Sequence, residues 1–88
     1  MLKNTIHPGS FLKEELEERG VSQSILAQHI GVEPGVINVI CNGHRGISAS
    51  MAKKLAIALE TTAELWMNLQ SSYELALAED PDFGKLRA

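Results

Sequence analysis

Six hydrogen-bonding side chains between residues 22 and 45 have the chemistry to bind phosphate groups. They fall in two short segments: Ser22, Gln23 and Ser24, then Asn42, His44 and Arg45. Hydroxyl, amide and guanidinium groups all donate hydrogen bonds to phosphate oxygens. Arg45 can in addition neutralise a phosphate charge, and the alternative is a solvated loop arginine. The two segments predict a phosphate-binding surface if the fold brings them together.

Helix start and stop signals surround these segments. Pro8 suits the first turn of a first helix, which ends at Arg19 and Gly20. Ser22 is a good N-cap for a second helix, which Gly31 ends. The N-terminus of the second helix then presents free backbone N–H groups beside the first polar segment, and such groups bind phosphate.

A third, short helix follows after a tight turn. It begins at Pro34 and ends at Asn42-Gly43. Two short helices joined by so few residues cross at a steep angle, which is the helix-turn-helix arrangement. Ala27 is small where the two helices approach, and apolar residues stand where the pair packs on its support: Leu26, Ile30, Val32, Ile37 and Ile40. An ordinary helical corner without a role in DNA binding is the alternative.

Two further helices complete an all-α chain. Ser48 begins the fourth, and its apolar stripe consists of Met51, Leu55, Ala58 and Leu59. Thr61 or Thr62 caps the fifth, which Pro81 ends. If Thr61 is the cap, Glu64 stands at the capping-box position. Strand signals are almost absent, so the sequence predicts five helices and no sheet.

The third helix would be the one that reads bases in a DNA groove. Its candidate contacts are Gly35, Val36, Asn38 and Val39. Gly35 lets the backbone approach a duplex, Val36 can touch a thymine methyl, and Asn38 can pair with adenine. Because few of these side chains carry donors, we expect phosphate contacts to contribute more than base-edge hydrogen bonds.

The fifth helix has a broad apolar face that a chain this small could share with a second copy. A domain of 88 residues is marginally stable alone, and oligomerisation is a common remedy. The predicted dimer interface consists of Leu65, Trp66, Leu69, Tyr73 and Leu77. A role in the core of one protomer only is the alternative for these residues.

Composition limits the remaining possibilities. The 88 residues predict a single domain over 1–88, with an ordered helical core at 7–78 and a loose tail at 79–88. The net charge of -3 does not favour nucleic-acid binding, although Glu14, Glu15, Glu17 and Glu18 concentrate the acidity in one stretch.

One cysteine and three scattered histidines give no metal or cofactor site, and no catalytic arrangement suggests an enzyme. Without a signal or membrane-spanning segment, we expect a cytoplasmic protein.

Several motifs resemble a known family. Val21 to Ala27 looks like the second-helix signature of Cro/C1-type (Xre) repressors. His7-Pro8-Gly9, Asn42 to Ser48 and Glu64 to Gln70 are together similar to the HigA/VapI antitoxins. The resemblance covers residues 7 to about 77, and the segment from Trp66 to Gln70 is its most specific part.

The resemblance implies a lambda-repressor-like DNA-binding domain in an antitoxin of a type II toxin–antitoxin module. Such a protein forms a homodimer, binds a palindromic operator in its own promoter, and neutralises a HigB-type toxin, an mRNA endonuclease. Many members carry Ser, Thr or Arg at the positions of Gly35 and Val36, so this chain departs from the pattern where bases are read. A toxin-binding module with little specific DNA binding is the alternative.

Overall fold

The computed structural model describes residues 6–87 and contains five helices, which confirms the predicted all-α fold. The helices are α1 Pro8–Arg19, α2 Gln23–Ile30, α3 Pro34–Cys41, α4 Ala49–Leu59 and α5 Ala63–Leu77. Helices α2 and α3 pack on each other, and α1, α4 and α5 form the support behind them. No strand occurs within residues 6–87.

Most helix ends lie where the sequence predicts them. The Ser22 Oγ accepts a hydrogen bond from the Ile25 N–H, and the Ser48 Oγ accepts one from the Met51 N–H. Gly20 and Gly31 end α1 and α2 with φ of 66° and 76°, a left-handed conformation that glycine adopts without steric cost.

The predicted ends of α5 need correction. Thr62, rather than Thr61, is the N-cap, because its Oγ1 accepts from the Leu65 N–H. The Thr61 Oγ1 instead accepts from the Trp66 Nε1 at 2.8 Å. The helix ends at Leu77, before Pro81, with Ala78 already extended. Pro81 disfavours helical backbone at Asp80, and the acidic Glu79 and Asp80 are unfavourable at a helix C-terminus, so the segment after Leu77 does not continue the helix.

The hydrophobic core lies where all five helices meet. Trp66 is its largest member, is 0% exposed, and packs edge-on against Phe11 with ring centroids 5.3 Å apart. Its N–H is satisfied by Thr61, as a buried indole requires. Other buried residues include Leu12, Leu16, Leu26, Ile37, Ile40, Leu55 and Leu59.

Helix α1 approaches the end of α3 so closely that only glycine fits at Gly9. A Cβ built at this position would overlap the Ile40 carbonyl, and it would also lie 2.9 Å from the His7 Nδ1. The Ile40 carbonyl accepts from the Gly43 N–H at 3.0 Å, so this contact fixes the end of α3 as well.

His7 caps α1 and connects it to α5. Its Nδ1 accepts from the Gly9 N–H at 2.8 Å, and its ring packs edge-on against Tyr73 with centroids 4.7 Å apart. Burial lowers the pKa of His7 from 6.5. The neutral imidazole is therefore the form that the fold requires, because a protonated Nδ1 cannot accept a hydrogen bond.

We expect His7 to make the folded state less stable in mild acid. Since its folded pKa lies below the unfolded value of 6.5, the unfolded chain binds the proton more readily. The contribution of His7 is complete above pH 6.5 and is lost as pH falls from there through the folded pKa. Urea unfolding at several pH values tests this. His7→Ser, which keeps a capping acceptor that does not titrate, should have a flatter profile between pH 7 and 5, and parallel profiles would contradict the assignment.

Candidate nucleic-acid interface

Helices α2 and α3 form a helix-turn-helix pair whose inner faces are buried. Leu26 and Ala27 on α2 and Ile37 and Ile40 on α3 are at most 3% exposed. Ala27, at 0%, is small where the helices meet. The outer faces of both helices remain free, and they carry most of the polar residues predicted to bind DNA.

Three amide side chains form a chain of hydrogen bonds across this outer face. The Asn38 Nδ2 donates to the Gln23 Oε1 at 3.2 Å, and the Asn42 Nδ2 donates to the Asn38 Oδ1 at the same distance. The bonds join the first turn of α2 to the middle and end of α3. With its Oε1 engaged, Gln23 has its Nε2 donors available for an incoming ligand.

A second part of the predicted site forms an open groove beside the amide chain. Its lining comprises Glu33, Gly35, Val36, Val39, His44 and Arg45. The structure thus brings His44 and Arg45, from the loop after α3, next to the positions of α3 that are predicted to read bases. The space above Gly35 is open, since a Cβ there would meet no other group. Ser22 and Ser24 are exposed at the start of α2.

Glu33 lies in this groove but was not among the predicted site residues. It occupies the N-cap position of α3, yet its side chain makes no capping hydrogen bond. A carboxylate in this position repels phosphate and partly offsets the positive charge of Arg45 in the same groove. The position of Glu33 directly before Pro34 was the available signal for its location in the groove, because N-cap residues lie at the exposed start of a helix.

The loop that carries His44 and Arg45 is anchored to α5 by Gln70, another residue that the sequence analysis missed. The Gln70 Oε1 accepts from the buried Ile47 N–H at 2.7 Å, and its Nε2 donates to the Glu74 Oε2. The Gln70 amide also lies against Gly46, where a Cβ would be 2.7 Å from the Nε2. Gln70 stands four residues after Trp66, so a polar residue at a core-facing position was the available signal.

The predicted dimer residues fall into two groups. Trp66 is wrong as an interface residue, because a side chain that is 0% exposed offers no surface to a partner. Leu65, Leu69 and Tyr73 are half-buried, and Leu77 is 56% exposed. These four stay a predicted interface along α5.

The helix-turn-helix geometry agrees with a comparison to known protein families. The family model described as helix-turn-helix matches residues 12–66, which is more than half of the chain. The chain belongs to the Xre-type helix-turn-helix family. The residues matched run from Leu12 in α1 through Trp66 in α5 and include the whole outer face described above.

Individual members of the family resemble this chain over most of its length. Virulence-associated protein I of Dichelobacter nodosus is 41% identical over 75 residues, which are 84% of this chain and 69% of that protein. The solved Pseudomonas aeruginosa antitoxin HigA with the higBA promoter is 44% identical, with 83% and 80% of the two chains covered and a TM-score of 0.80. The antitoxin GraA in complex with its operator is 39% identical over 100% of both chains, with a TM-score of 0.85.

These relatives confirm the resemblance to HigA/VapI antitoxins that the motifs predicted. The Xre-type helix-turn-helix family is a class of non-enzymatic DNA-binding regulators, so the prediction that the chain is not an enzyme holds. Within residues 6–87, no helix is long and apolar enough to cross a membrane.

Proposed function

We propose that this protein is the antitoxin of a type II toxin–antitoxin module, which binds operator DNA as a two-fold dimer and represses its own operon. The observation that carries the proposal is the joint exposure of the Gln23–Asn38–Asn42 amide chain and the groove with Arg45 on one helix-turn-helix face. The operator-bound relatives share this fold at 39–44% identity. A DNA target and a toxin that cleaves mRNA both suggest that the protein acts in the cytoplasm.

The DNA is held mainly through its backbone. Helix α3 enters the major groove, and a two-fold dimer on α5 sets the two copies of α3 about 34 Å apart, one DNA turn. Gln23, Asn42 and Arg45 donate to phosphates on the two sides of α3. Asn38 is the main polar reader of a base edge.

Removing Arg45 or Asn38 should have different effects on DNA binding. Arg45→Ala should weaken binding to every sequence alike and reduce the dependence of log K on log salt by about one unit per contact. Asn38→Ala should cost about 1–3 kcal/mol at one base pair and relax discrimination there. The measurement is a salt titration of gel shifts on the DNA upstream of the gene and on a scrambled duplex.

The matched control for this titration is Lys53→Ala. It makes the same change in charge at an exposed position on α4, outside the groove, and should leave the salt dependence unchanged. An Arg45→Ala variant that loses only operator binding would contradict the assignment of Arg45 to phosphate. If the parent binds neither duplex, the protein is the toxin-binding module that the apolar Val36 and the acidic Glu33 favour.

Neutralisation of a HigB-like mRNA endonuclease is tested separately. Induction of the neighbouring reading frame alone should arrest growth and cleave mRNA, and coexpression of this protein should restore growth. Arg45→Ala should restore growth as well as the parent does, because Arg45 is assigned to DNA only. Continued arrest in the presence of the parent would contradict the toxin–antitoxin proposal.

A further inference from the structure

The described tail after α5 exposes apolar side chains that nothing in its own protomer covers. Residues 79–87 contain no regular secondary structure, and every one of them is exposed. Phe83 is 82% exposed and Leu86 is 99% exposed. Because burying large apolar side chains is favourable, these two residues are suited to dock on another surface.

A groove between α1 and α5 has room for an aromatic ring. Its apolar lining comes from Ile6, Phe11, Leu69 and Tyr73, and the cavity measures about 230 Å³. A dry cavity of about 150 Å³ is enough to hold benzene. The groove is shaped in advance, because Phe11 is held by Trp66 and Tyr73 by His7.

The charge of the tail beyond Phe83 is complementary to that of the groove and of the adjoining face of α1. Glu14 lines the groove, and Glu17 and Glu18 are exposed further along α1. In the tail, Lys85 and Arg87 stand on either side of Leu86. Glu79 and Asp80 precede Phe83 by four and three residues and lie nearer to their own α5, whereas Asp82 adjoins Phe83 and would lie at the rim of the groove.

We propose that the tail of one protomer docks in the α1–α5 groove of a second copy, with Phe83 in the cavity and Lys85 and Arg87 against the acidic face of α1. Leu69 and Tyr73 belong both to the groove and to the predicted α5 interface, so the docking site is continuous with it. Phe83 lies six residues beyond Leu77, an extended reach of about 20 Å, which can cross between adjacent protomers. The inference rests on the proposed dimer and adds a second, exchanged contact to it.

Cysteine cross-linking identifies the occupant of the groove. Ser72→Cys on the groove and Gly84→Cys beside Phe83 are made in separate full-length chains and mixed under mild oxidation. A disulfide-linked heterodimer should form efficiently, while Ser24→Cys on α2 mixed with Gly84→Cys should give little product. Cys41 is buried, and burial raises the pKa of its thiol, so the parent should not cross-link.

The energetic test is the dimer dissociation constant from sedimentation equilibrium. Phe83→Ala should raise it tenfold or more, as the loss of a buried aromatic anchor does, while Glu79→Ala should change it little. Cross-linking no better than the Ser24→Cys control, or efficient cross-linking within a single chain that carries both cysteines, would overturn the proposal. Operator binding by the parent is scored independently by gel shift, so failure of the tail contact is distinguishable from failure of the DNA-binding function.

Discussion

Gly9→Ala is expected to destabilise the protein more than any other change considered. The new Cβ would overlap the Ile40 carbonyl, which belongs to helix backbone and cannot rotate away as a side chain can. Overpacking typically costs 1–3 kcal/mol, and we expect about 3 kcal/mol here because α1 and α3 must separate. The same shift would strain the Gly43 hydrogen bond to that carbonyl. A small domain has only about 5–15 kcal/mol of stability in total.

Urea unfolding, followed by the fluorescence of the buried Trp66, measures this cost. Gly35→Ala is the matched control, because Gly35 is also helical but a Cβ there meets open space. It should raise the free energy of unfolding by about 0.5–1 kcal/mol, since alanine is the better helix former. Both are compared with the parent at one protomer concentration, because dimerisation contributes to stability. Equal effects of the two substitutions would contradict the close contact between α1 and α3.

Gln70→Ala is expected to reduce both stability and operator affinity. The Ile47 N–H would be buried without an acceptor, which costs about 1–3 kcal/mol. The loop with His44 and Arg45 would lose its attachment to α5, so DNA binding should weaken even at temperatures where the variant is fully folded. Urea unfolding measures the stability, and a gel shift on the operator measures the affinity. Hydrogen exchange at the Ile47 amide should become faster.

Two further variants separate the hydrogen bond from the space that Gln70 fills. Gln70→Met keeps most of the volume but removes the acceptor, so it should retain most of the destabilisation and the fast exchange. Glu74→Gln keeps an oxygen that can accept from the Gln70 Nε2, and its effect should be small. Unchanged exchange at Ile47 in Gln70→Met would show that the amide oxygen does not hold the loop.

The features that the sequence predicted correctly depend on local chemistry. Ser22 and Ser48 cap helices through N–H groups three residues ahead, and Gly20 and Gly31 adopt a left-handed conformation at helix ends. Such signals lie within a few residues of the structure they determine. The helix-turn-helix pair followed from them, because its turn is too short for another arrangement.

The features that the sequence did not predict depend on contacts between distant parts of the chain. Gln70 and Ile47 are 23 residues apart in sequence, and no local pattern near either residue indicates that the two are in contact. Thr61 and Thr62 are equivalent as caps by type. In the structure Thr62 caps the helix, while the Thr61 hydroxyl accepts a hydrogen bond from the indole N–H of Trp66. Trp66 is of a residue type common at interfaces, and only the packing of the other helices around it shows that it is enclosed.

Arg19 makes a hydrogen bond between two supporting helices, and this bond is relevant to how DNA specificity can change in the family. Its guanidinium donates to the Leu59 carbonyl at 2.8 Å and so joins the end of α1 to the end of α4. The cation also suits the negative end of the α4 dipole. This connection does not pass through α2 or α3, so it links α1 and α4 independently of the residues that are predicted to read bases. Substitutions at exposed positions such as Gly35 and Asn38, which are predicted to read bases, should therefore change DNA specificity without disrupting the supporting helices.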